Sequence, residues 1–484
     1  MNKPLRRIAI FCGLLIMALM IRDNWLQYVR ADELNAHKYN RRVQIERFAH
    51  ERGNIITADG QPMTASKETS GSDYKFKRAW NNGALWSPVT GYNSQAFDSS
   101  QLENIEDKIL SGNDDRLFFD RTLSMFTGEK KQGGNVVTTL NTAAQKAAFE
   151  GLGDKKGAVA AIDPRTGAIL ALASTPSYDP SVFAGNTKAD SEARQKLLTD
   201  KDKPMLNRAL RETYPPGSTF KVVTASAALE NGLYSSIDEP TRSPVPYQLP
   251  QSTTPLKNEG SIPCENATLK VALQWSCNTV FGKISDDLGN KKMIDEANKF
   301  GFNDEIFTPV RADASVYPKD NRPQNAMAGI GQASNRATPL QMAMVAAAVA
   351  NDGKLMKPYM VDQLQAPNLD VLSKTQPEKM SQPLSAANAQ KVQALMENVV
   401  TDGTGKKGAI DGVTVGGKTG TAQHGLNNSE KPYAWFISYA KTDQGSPVAV
   451  AVVVEDGEAH RDDISGGGLA APIAKAVMKA VLKK

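Results

Sequence analysis

Residues 214–229 have the sequence Tyr214-Pro-Pro-Gly-Ser-Thr-Phe-Lys-Val-Val-Thr-Ala-Ser-Ala-Ala-Leu229, in which a Pro/Gly turn comes directly before a helical run. Ser218 therefore lies at the amino terminus of a predicted helix, and Lys221 follows one turn later on the same face. A lysine that burial keeps neutral can accept the proton of a serine hydroxyl, so the pair predicts a nucleophile with its general base. Taken alone, Ser218 is explained as well by a helix N-cap.

Two further motifs decide between these interpretations. Ser276-Cys-Asn278 follows an apolar run and precedes a helical one, which predicts a hydroxyl and an amide on a short interhelical loop. Lys418-Thr-Gly-Thr421 lies in an alternating segment that indicates a strand. The first motif is weak alone, because Ser72-Asp-Tyr-Lys75 and Ser438-Tyr-Ala-Lys441 repeat its spacing by chance. The second is weak too, since Ser111-Gly-Asn113 repeats it, whereas the third is the only K-T-G in the sequence. Together, in this order, the three motifs are typical of penicillin-binding proteins and class A β-lactamases.

The segments around these motifs predict the fold class of the catalytic part. Apolar runs at 157–162 and 168–172 flank a Pro/Gly turn and predict a hairpin, and 433–440 and 447–454 predict two more strands. Helices are predicted at 142–152, 338–350, 386–400 and 470–482. We therefore expect an α/β (α+β) domain over 136–484, with a central antiparallel sheet built from both ends of the domain and a helical subdomain between them.

The first 30 residues carry a targeting signal. Lys3, Arg6 and Arg7 precede an unbroken apolar stretch, 8–21, which is short for a spanning helix but is followed by the interfacial aromatics Trp25 and Tyr28. A cleaved signal peptide is the alternative, but no small-x-small cleavage site follows. We expect residues 1–30 to form a cytoplasmic tip and a single-pass membrane anchor, with the remainder extracytoplasmic.

Residues 31–135 are predicted to form a stalk and a small non-catalytic module. The segment 32–52 is strongly charged and has few apolar residues, which predicts a solvated stalk, and 53–134 is rich in Gly, Asn and Ser with short apolar runs. The net charge of +5 over 484 residues is too small to predict nucleic-acid binding. The four histidines and three cysteines do not fall at metal-ligand spacing, so neither a metal nor a cofactor is expected.

The sequence resembles the class B penicillin-binding proteins, closest to their actinobacterial PbpA group. Besides the three motifs, the resemblance rests on stretches spread over nearly the whole chain: 52–55 (Arg-Gly-Asn-Ile), 163–171, 329–332 (Gly-Ile-Gly-Gln), 338–342 (Thr-Pro-Leu-Gln-Met) and 433–436 (Tyr-Ala-Trp-Phe). It implies a serine transpeptidase/β-lactamase-like domain, a dimerisation-like module before it, and D-alanyl-D-alanine transpeptidase activity that crosslinks peptidoglycan stem peptides.

The resemblance also implies a role for each motif residue. Ser218 would attack, Lys221 would act as general base, and Ser276 would relay a proton to the leaving amine. The substrate-binding residues would be Asn278, which holds the donor amide, and Lys418, Thr419, Gly420 and Thr421, which receive the terminal carboxylate. Backbone N–H groups of Ser218 and Thr421 would form the oxyanion hole, and Gly420 would leave room for a substrate backbone.

β-Lactam antibiotics, which present a strained amide and a carboxylate, should therefore acylate Ser218. The alternatives are a D,D-carboxypeptidase or β-lactamase-type hydrolase, and a non-catalytic β-lactam-binding scaffold. The chain lacks the E-x-x-L-N loop of class A β-lactamases. The resemblance further implies a SEDS-family glycosyltransferase as partner.

Cys264 and Cys277 are the cysteines beyond the anchor, since Cys12 lies within the apolar stretch. An extracytoplasmic domain folds where disulfides persist, so we predict a bridge that ties the loop before Ser276 to the cleft. The alternative is two independent thiols, with Cys277 simply a small buried residue.

Overall fold

The computed structural model describes residues 3–35, 37, 40–70, 73–118, 122, 126, 131–423, 425, 429–456 and 464–484. Its amino-terminal part contains α1 (Lys3–Tyr28), α2 (Ala31–Asn35), α3 (Arg41–Arg47), β1 (Ile55–Ile56), β2 (Thr64–Glu68), β3 (Phe76–Trp80), α4 (Gly83–Thr90), α5 (Gln101–Ile105), α6 (Asp107–Leu110) and β4 (Asn135–Thr138). Helix α1 is fully exposed and is, among the described residues, the one helix long and apolar enough to cross a membrane.

The elements that follow are listed here in chain order. The first group is α7 (Thr142–Leu152), β5 (Lys156–Ile162), β6 (Ile169–Thr175), α8 (Lys188–Thr199), α9 (Arg208–Arg211), α10 (Lys221–Glu230), β7 (Tyr247–Gln248), β8 (Pro255–Leu256), α11 (Leu269–Gln274), α12 (Asn278–Lys299), β9 (Ile306–Phe307), β10 (Arg311–Ala312), α13 (Arg322–Ala328) and α14 (Pro339–Ala350). The second is β11 (Leu355–Met356), β12 (Val361–Gln365), β13 (Val371–Lys374), β14 (Lys379–Ser381), α15 (Ala386–Thr401), β15 (Thr414–Ala422), β16 (Tyr433–Thr442), β17 (Gly445–Asp456) and α16 (Ala471–Leu482).

A five-stranded antiparallel sheet of order β15-β16-β17-β5-β6 forms the centre of the catalytic part. Alternate residues of its strands enter different cores: on β17, Ala451 and Val453 pack toward α14, whereas Val450 and Val452 pack toward α7 and α16. This period of two is the pattern of a sheet covered on both faces. The predicted antiparallel sheet built from both ends of the domain is therefore confirmed.

The helical region lies between these strand groups, as predicted. Helices α10, α11, α12 and α15 pack against one another beside β15, so the start of α10, the loop before α12 and the strand β15 meet at one place. These three elements carry the three sequence motifs.

The predicted solvated stalk is wrong at its carboxyl end. Phe48 is buried and makes an edge contact with Tyr74, and the Arg52 guanidinium donates to the buried carboxylate of Glu103 at 2.7 Å. The charged residues of this segment thus form ion pairs with residues about fifty positions away in the sequence. These ion pairs offset the free-energy cost of burying the charges.

A second sheet, of order β1-β4-β12-β13, joins the amino-terminal module to a later part of the chain. Strand β1 pairs with β4 in parallel, and β4 pairs antiparallel with β12. The domain boundaries at residues 30 and 135 stay predictions, and the second coincides with the start of β4.

Candidate active site

Ser218 lies on a tight turn that the surrounding backbone fixes. A short 3₁₀ turn, Gly217–Phe220, leads directly into α10. Gly217 has φ +54°, and a Cβ there would meet the Thr421 carbonyl at 3.0 Å, so the turn requires glycine. The Gly217 N–H donates to the Gly331 carbonyl at 2.9 Å, and the Trp435 indole donates to the Pro215 carbonyl at 3.1 Å. Ser218 is thus held, partly exposed, against strand β15.

Lys221 is fully buried, and its amine is directed at the second motif. Its Nζ lies 2.7 Å from the Ser276 carbonyl oxygen and 2.7 Å from Asn278 Oδ1, to which the two N–H groups of a neutral amine can donate. It also lies 3.2 Å from Ser276 Oγ, whose hydroxyl can donate to the amine. Within the described part of the chain, no hydrogen bond joins it to Ser218 Oγ. The sequence alone places Ser218 and Lys221 one helical turn apart. Only the tertiary structure shows the contact of Lys221 with Ser276 and Asn278.

The electrostatic surroundings disfavour the ammonium form of Lys221. Burial lowers its pKa well below that of an ordinary lysine, and the positive charge of Lys418 lowers it further, whereas Glu259 acts in the opposite direction. All three groups within hydrogen-bond distance of Lys221 Nζ are neutral. Lys221 therefore has the properties of a buried, neutral general base.

The loop that carries Ser276 is held in an unusual conformation. Ser276 has φ +61°, in the left-handed region, and Cys277, the N-cap of α12, donates its N–H to the Ala272 carbonyl at 2.8 Å. The structure confirms the predicted disulfide between Cys264 and Cys277, with their Cα atoms 5.6 Å apart. A residue in this strained conformation keeps it only where the surrounding structure holds it in place. Here the Cys264–Cys277 disulfide and α12 hold Ser276.

The third motif presents polar groups from β15. Lys418 is fully buried, its Nζ donates to the Thr419 carbonyl at 2.9 Å, and burial lowers its pKa to about 7. The Thr419 hydroxyl pairs with that of Thr404 at 2.6 Å. A Cβ on Gly420 would meet Thr219 Cγ2 at 3.0 Å, so this glycine makes room for a neighbouring side chain. Its predicted role of leaving space for a substrate backbone stays a prediction.

These elements enclose a cleft of about 380 Å³. Of the predicted site residues, Ser218, Ser276, Asn278, Thr419 and Thr421 line it, while Lys221 and Lys418 lie buried behind its wall. Sequence reasoning missed the other lining residues, for which no local motif gave a signal: Glu259, Ile262, Trp275, Thr404 and 465–467.

The two chance matches to the first motif need no functional explanation. Ser438 lies buried on β16, where its hydroxyl contacts Met478, so it cannot form a helical pair with Lys441. Ser72 lies outside the described residues.

A serine at the start of a helix, a buried lysine and a β-strand with a K-T-G motif define a penicillin-recognising serine acyltransferase. Residues 157–479 match the penicillin-binding protein transpeptidase domain, and residues 52–136 match the penicillin-binding protein A dimerisation domain. The chain therefore belongs to the penicillin-binding protein family, as the sequence resemblance predicted.

Relatives match it over most of its length. The peptidoglycan D,D-transpeptidase PbpA of Mycolicibacterium smegmatis is 40% identical over 498 residues, which cover 100% of both chains. The ceftriaxone acyl-enzyme complex of penicillin-binding protein A from Mycobacterium tuberculosis superposes with a TM-score of 0.85 at 39% identity, covering 90% of this chain and 100% of that one. The penicillin G acyl-enzyme complex of the same protein gives 0.83 with the same identity and coverage.

Proposed function

We propose that this chain is a peptidoglycan D,D-transpeptidase that crosslinks stem peptides through an acyl-enzyme on Ser218. The observation that carries the proposal is the buried amine of Lys221, which contacts Ser276 Oγ and Asn278 Oδ1 and lies one turn from a partly exposed serine. The relatives named above are peptidoglycan D,D-transpeptidases, which supports the same reaction.

In the first half-reaction, Lys221 takes the proton of the Ser218 hydroxyl as Oγ attacks the carbonyl of the penultimate D-Ala. The Oγ–C bond forms and the C–N bond to the terminal D-Ala breaks. The proton then passes from Lys221 through Ser276 to the leaving amine, a route supported by the 3.2 Å contact between Nζ and Oγ. In the second half-reaction an acceptor amine attacks the ester, its proton returns to Ser218 Oγ, and the crosslink forms.

Lys418 and the hydroxyls of Thr419 and Thr421 are proposed to bind the terminal carboxylate of the donor peptide. Because the pKa of Lys418 is lowered to about 7, an arriving carboxylate also raises the fraction of Lys418 that carries a charge. The Asn278 side chain, anchored by Lys221 Nζ and donating to the Lys257 carbonyl at 3.2 Å, is proposed to orient the donor amide.

The backbone N–H groups of Ser218 and Thr421 are proposed to form the oxyanion hole. Gly217 packs against Thr421, which supports this role because it brings the serine turn and β15 together. Loss of one such donor typically costs about 3–4 kcal/mol of transition-state stabilisation.

Covalent labelling tests the proposal. The full-length chain in detergent, incubated with labelled benzylpenicillin, should bind about one equivalent, and the label should map to the peptide containing Ser218. Ser218→Ala should stay folded and unlabelled, while Ser438→Ala, at the chance match to the motif, should label like the unaltered chain. Labelling on another peptide, or in Ser218→Ala, would refute the assignment.

A hydrolase remains distinguishable from a transpeptidase by the fate of the acyl-enzyme. The penicillin G and ceftriaxone acyl-enzyme complexes of the M. tuberculosis relative support a long-lived ester. With a donor peptide that ends in D-Ala-D-Ala and a D-amino acid acceptor, the transferred product should exceed the hydrolysed product. Exclusive hydrolysis would favour a D,D-carboxypeptidase or β-lactamase-type enzyme, and penicillin labelling without any turnover would favour a scaffold.

We further propose that α1 anchors the chain in the cell membrane with the catalytic part extracytoplasmic, and that a SEDS-family glycosyltransferase is its partner. The exposed apolar helix, with Arg6 and Arg7 in its first turns, supports this orientation. Protease added outside spheroplasts should digest the catalytic part, and a tagged chain should copurify the glycosyltransferase.

A further inference from the structure

Glu259 lies on the loop between β8 and α11, and the structure holds this loop over the cleft. On one side, the Lys257 carbonyl accepts a hydrogen bond from Asn278 Nδ2 at 3.2 Å. The adjacent Asn258 side chain accepts from the Thr279 N–H at 3.0 Å and donates to its hydroxyl at 3.1 Å. On the other side, the loop ends at the Cys264–Cys277 disulfide. Glu259 is therefore tied, on both sides, to the loop that carries Ser276.

The side chain of Glu259 lines the cleft together with Ser218 and Ser276. Within the described part of the chain it is the one charged side chain in that lining, and its carboxylate makes no hydrogen bond or ion pair there. Trp275 and Ile262 line the same cleft and supply apolar surface for a ligand.

The charge of Glu259 acts on the two buried lysines of the cleft. Its negative charge raises the pKa of both Lys221 and Lys418, against the larger effect of burial. A ligand lying between Lys418 and the loop therefore meets a lysine that becomes charged beside a bound carboxylate at one end and the anionic Glu259 at the other.

We propose that Glu259 determines specificity by favouring acyl donors that carry a primary ammonium group beside the scissile amide and disfavouring donors with a second anionic group there. The inference rests on the proposed acyl transfer at Ser218 and concerns the charge that its donor carries on the acyl side of the scissile amide. The carboxylate and the ammonium attract each other across the cleft, whereas two carboxylates repel.

A matched penicillin series tests the inference. Benzylpenicillin, ampicillin and carbenicillin differ at one carbon of the side chain, which carries hydrogen, an ammonium or a carboxylate. With the full-length chain in detergent, we expect Glu259→Gln to lower the acylation rate of ampicillin relative to benzylpenicillin by about threefold to fivefold, a size typical of an exposed ion pair. Carbenicillin should gain by a similar factor, and Glu259→Lys should reverse the order of the two charged compounds.

The matched control is Glu265→Gln, which removes an exposed carboxylate from the same loop outside the cleft lining. It should leave both ratios unchanged. In the unaltered chain, added salt should lower the ampicillin ratio and raise the carbenicillin ratio, each toward its value in Glu259→Gln. Ratios unchanged in Glu259→Gln, or changed equally in Glu265→Gln, overturn the inference. Benzylpenicillin labelling of Ser218 in every variant separates that failure from a failure of the proposed function, in which no penicillin acylates the chain.

Discussion

Two buried clusters of basic side chains differ in what neutralises them. In the amino-terminal module, Arg52 and Arg78 share the carboxylate of Glu103, with N–O distances of 2.7 and 2.6 Å. In the cleft, Lys221 and Lys418 are equally buried, but their hydrogen bonds go to neutral carbonyl, hydroxyl and amide oxygens.

The difference separates a structural cluster from a chemical one. Burial lowers the pKa of Arg78 to about 10 even beside Glu103, so it keeps its charge at neutral pH. Without an acid at contact distance, the pKa of Lys418 falls to about 7 and that of Lys221 falls well below its ordinary range. A buried cation with its own carboxylate keeps its charge, whereas one without a carboxylate becomes a base.

The largest effect is expected from Lys221→Arg. Arginine keeps a positive charge but cannot be deprotonated in proteins, so the acylation rate by benzylpenicillin should fall by about 10²–10⁴-fold. Stopped-flow or labelled-penicillin kinetics measure it. The exposed Lys270→Arg serves as the matched control and should react normally. Near-normal acylation in Lys221→Arg would remove the lysine from the mechanism.

The next effect concerns the paired cluster. Glu103→Gln leaves two buried guanidinium groups without their shared carboxylate, which should lower the free energy of unfolding by about 3–5 kcal/mol, as denaturant unfolding measures. The acylation rate per folded molecule should stay the same. Replacing all three residues with apolar ones, Arg52→Met, Arg78→Met and Glu103→Leu, should recover most of the stability. An unchanged free energy of unfolding in Glu103→Gln would show that the cluster is not structural.

A smaller effect is expected at the disulfide. Replacing Cys264 and Cys277 with alanine should cost about 3 kcal/mol in the chain-entropy model. On the unreduced, denatured full-length chain, thiol counting should find the one cysteine outside the bridge, Cys12, and reduction should expose the other two. Three reactive thiols before reduction would mean that the bridge does not form.

The sequence predicted those parts of the structure that local patterns determine. The strands of the central sheet alternate or form apolar runs, and Ser218 and Lys221 lie within one helical turn, so both were accessible from spacing alone. The cleft disulfide was also predicted, from compartment and position.

The remainder depends on contacts between distant positions. Arg52 appeared to belong to a solvated stalk because its partner Glu103 lies 51 residues away. The hydrogen bonds of Lys221 to Ser276 and Asn278 likewise join positions that are 55 and 57 residues apart. Glu259 and Thr404 line the cleft only because the loop and β15 fold onto it, and no neighbouring residue marks either position.

The pH dependence of acylation by benzylpenicillin tests most directly whether Lys221 acts as a neutral base. Because Lys221 acts as a base only when it is deprotonated, the acylation rate should rise as the pH passes through its lowered pKa. The rise should therefore occur at a lower pH than the one at which an ordinary lysine loses its proton. Lys418 is active when charged, so the rate at low penicillin concentration should fall as pH rises through about 7. A rate that stays low through neutral pH and rises only near the ordinary lysine value of about 10.4 would contradict the account.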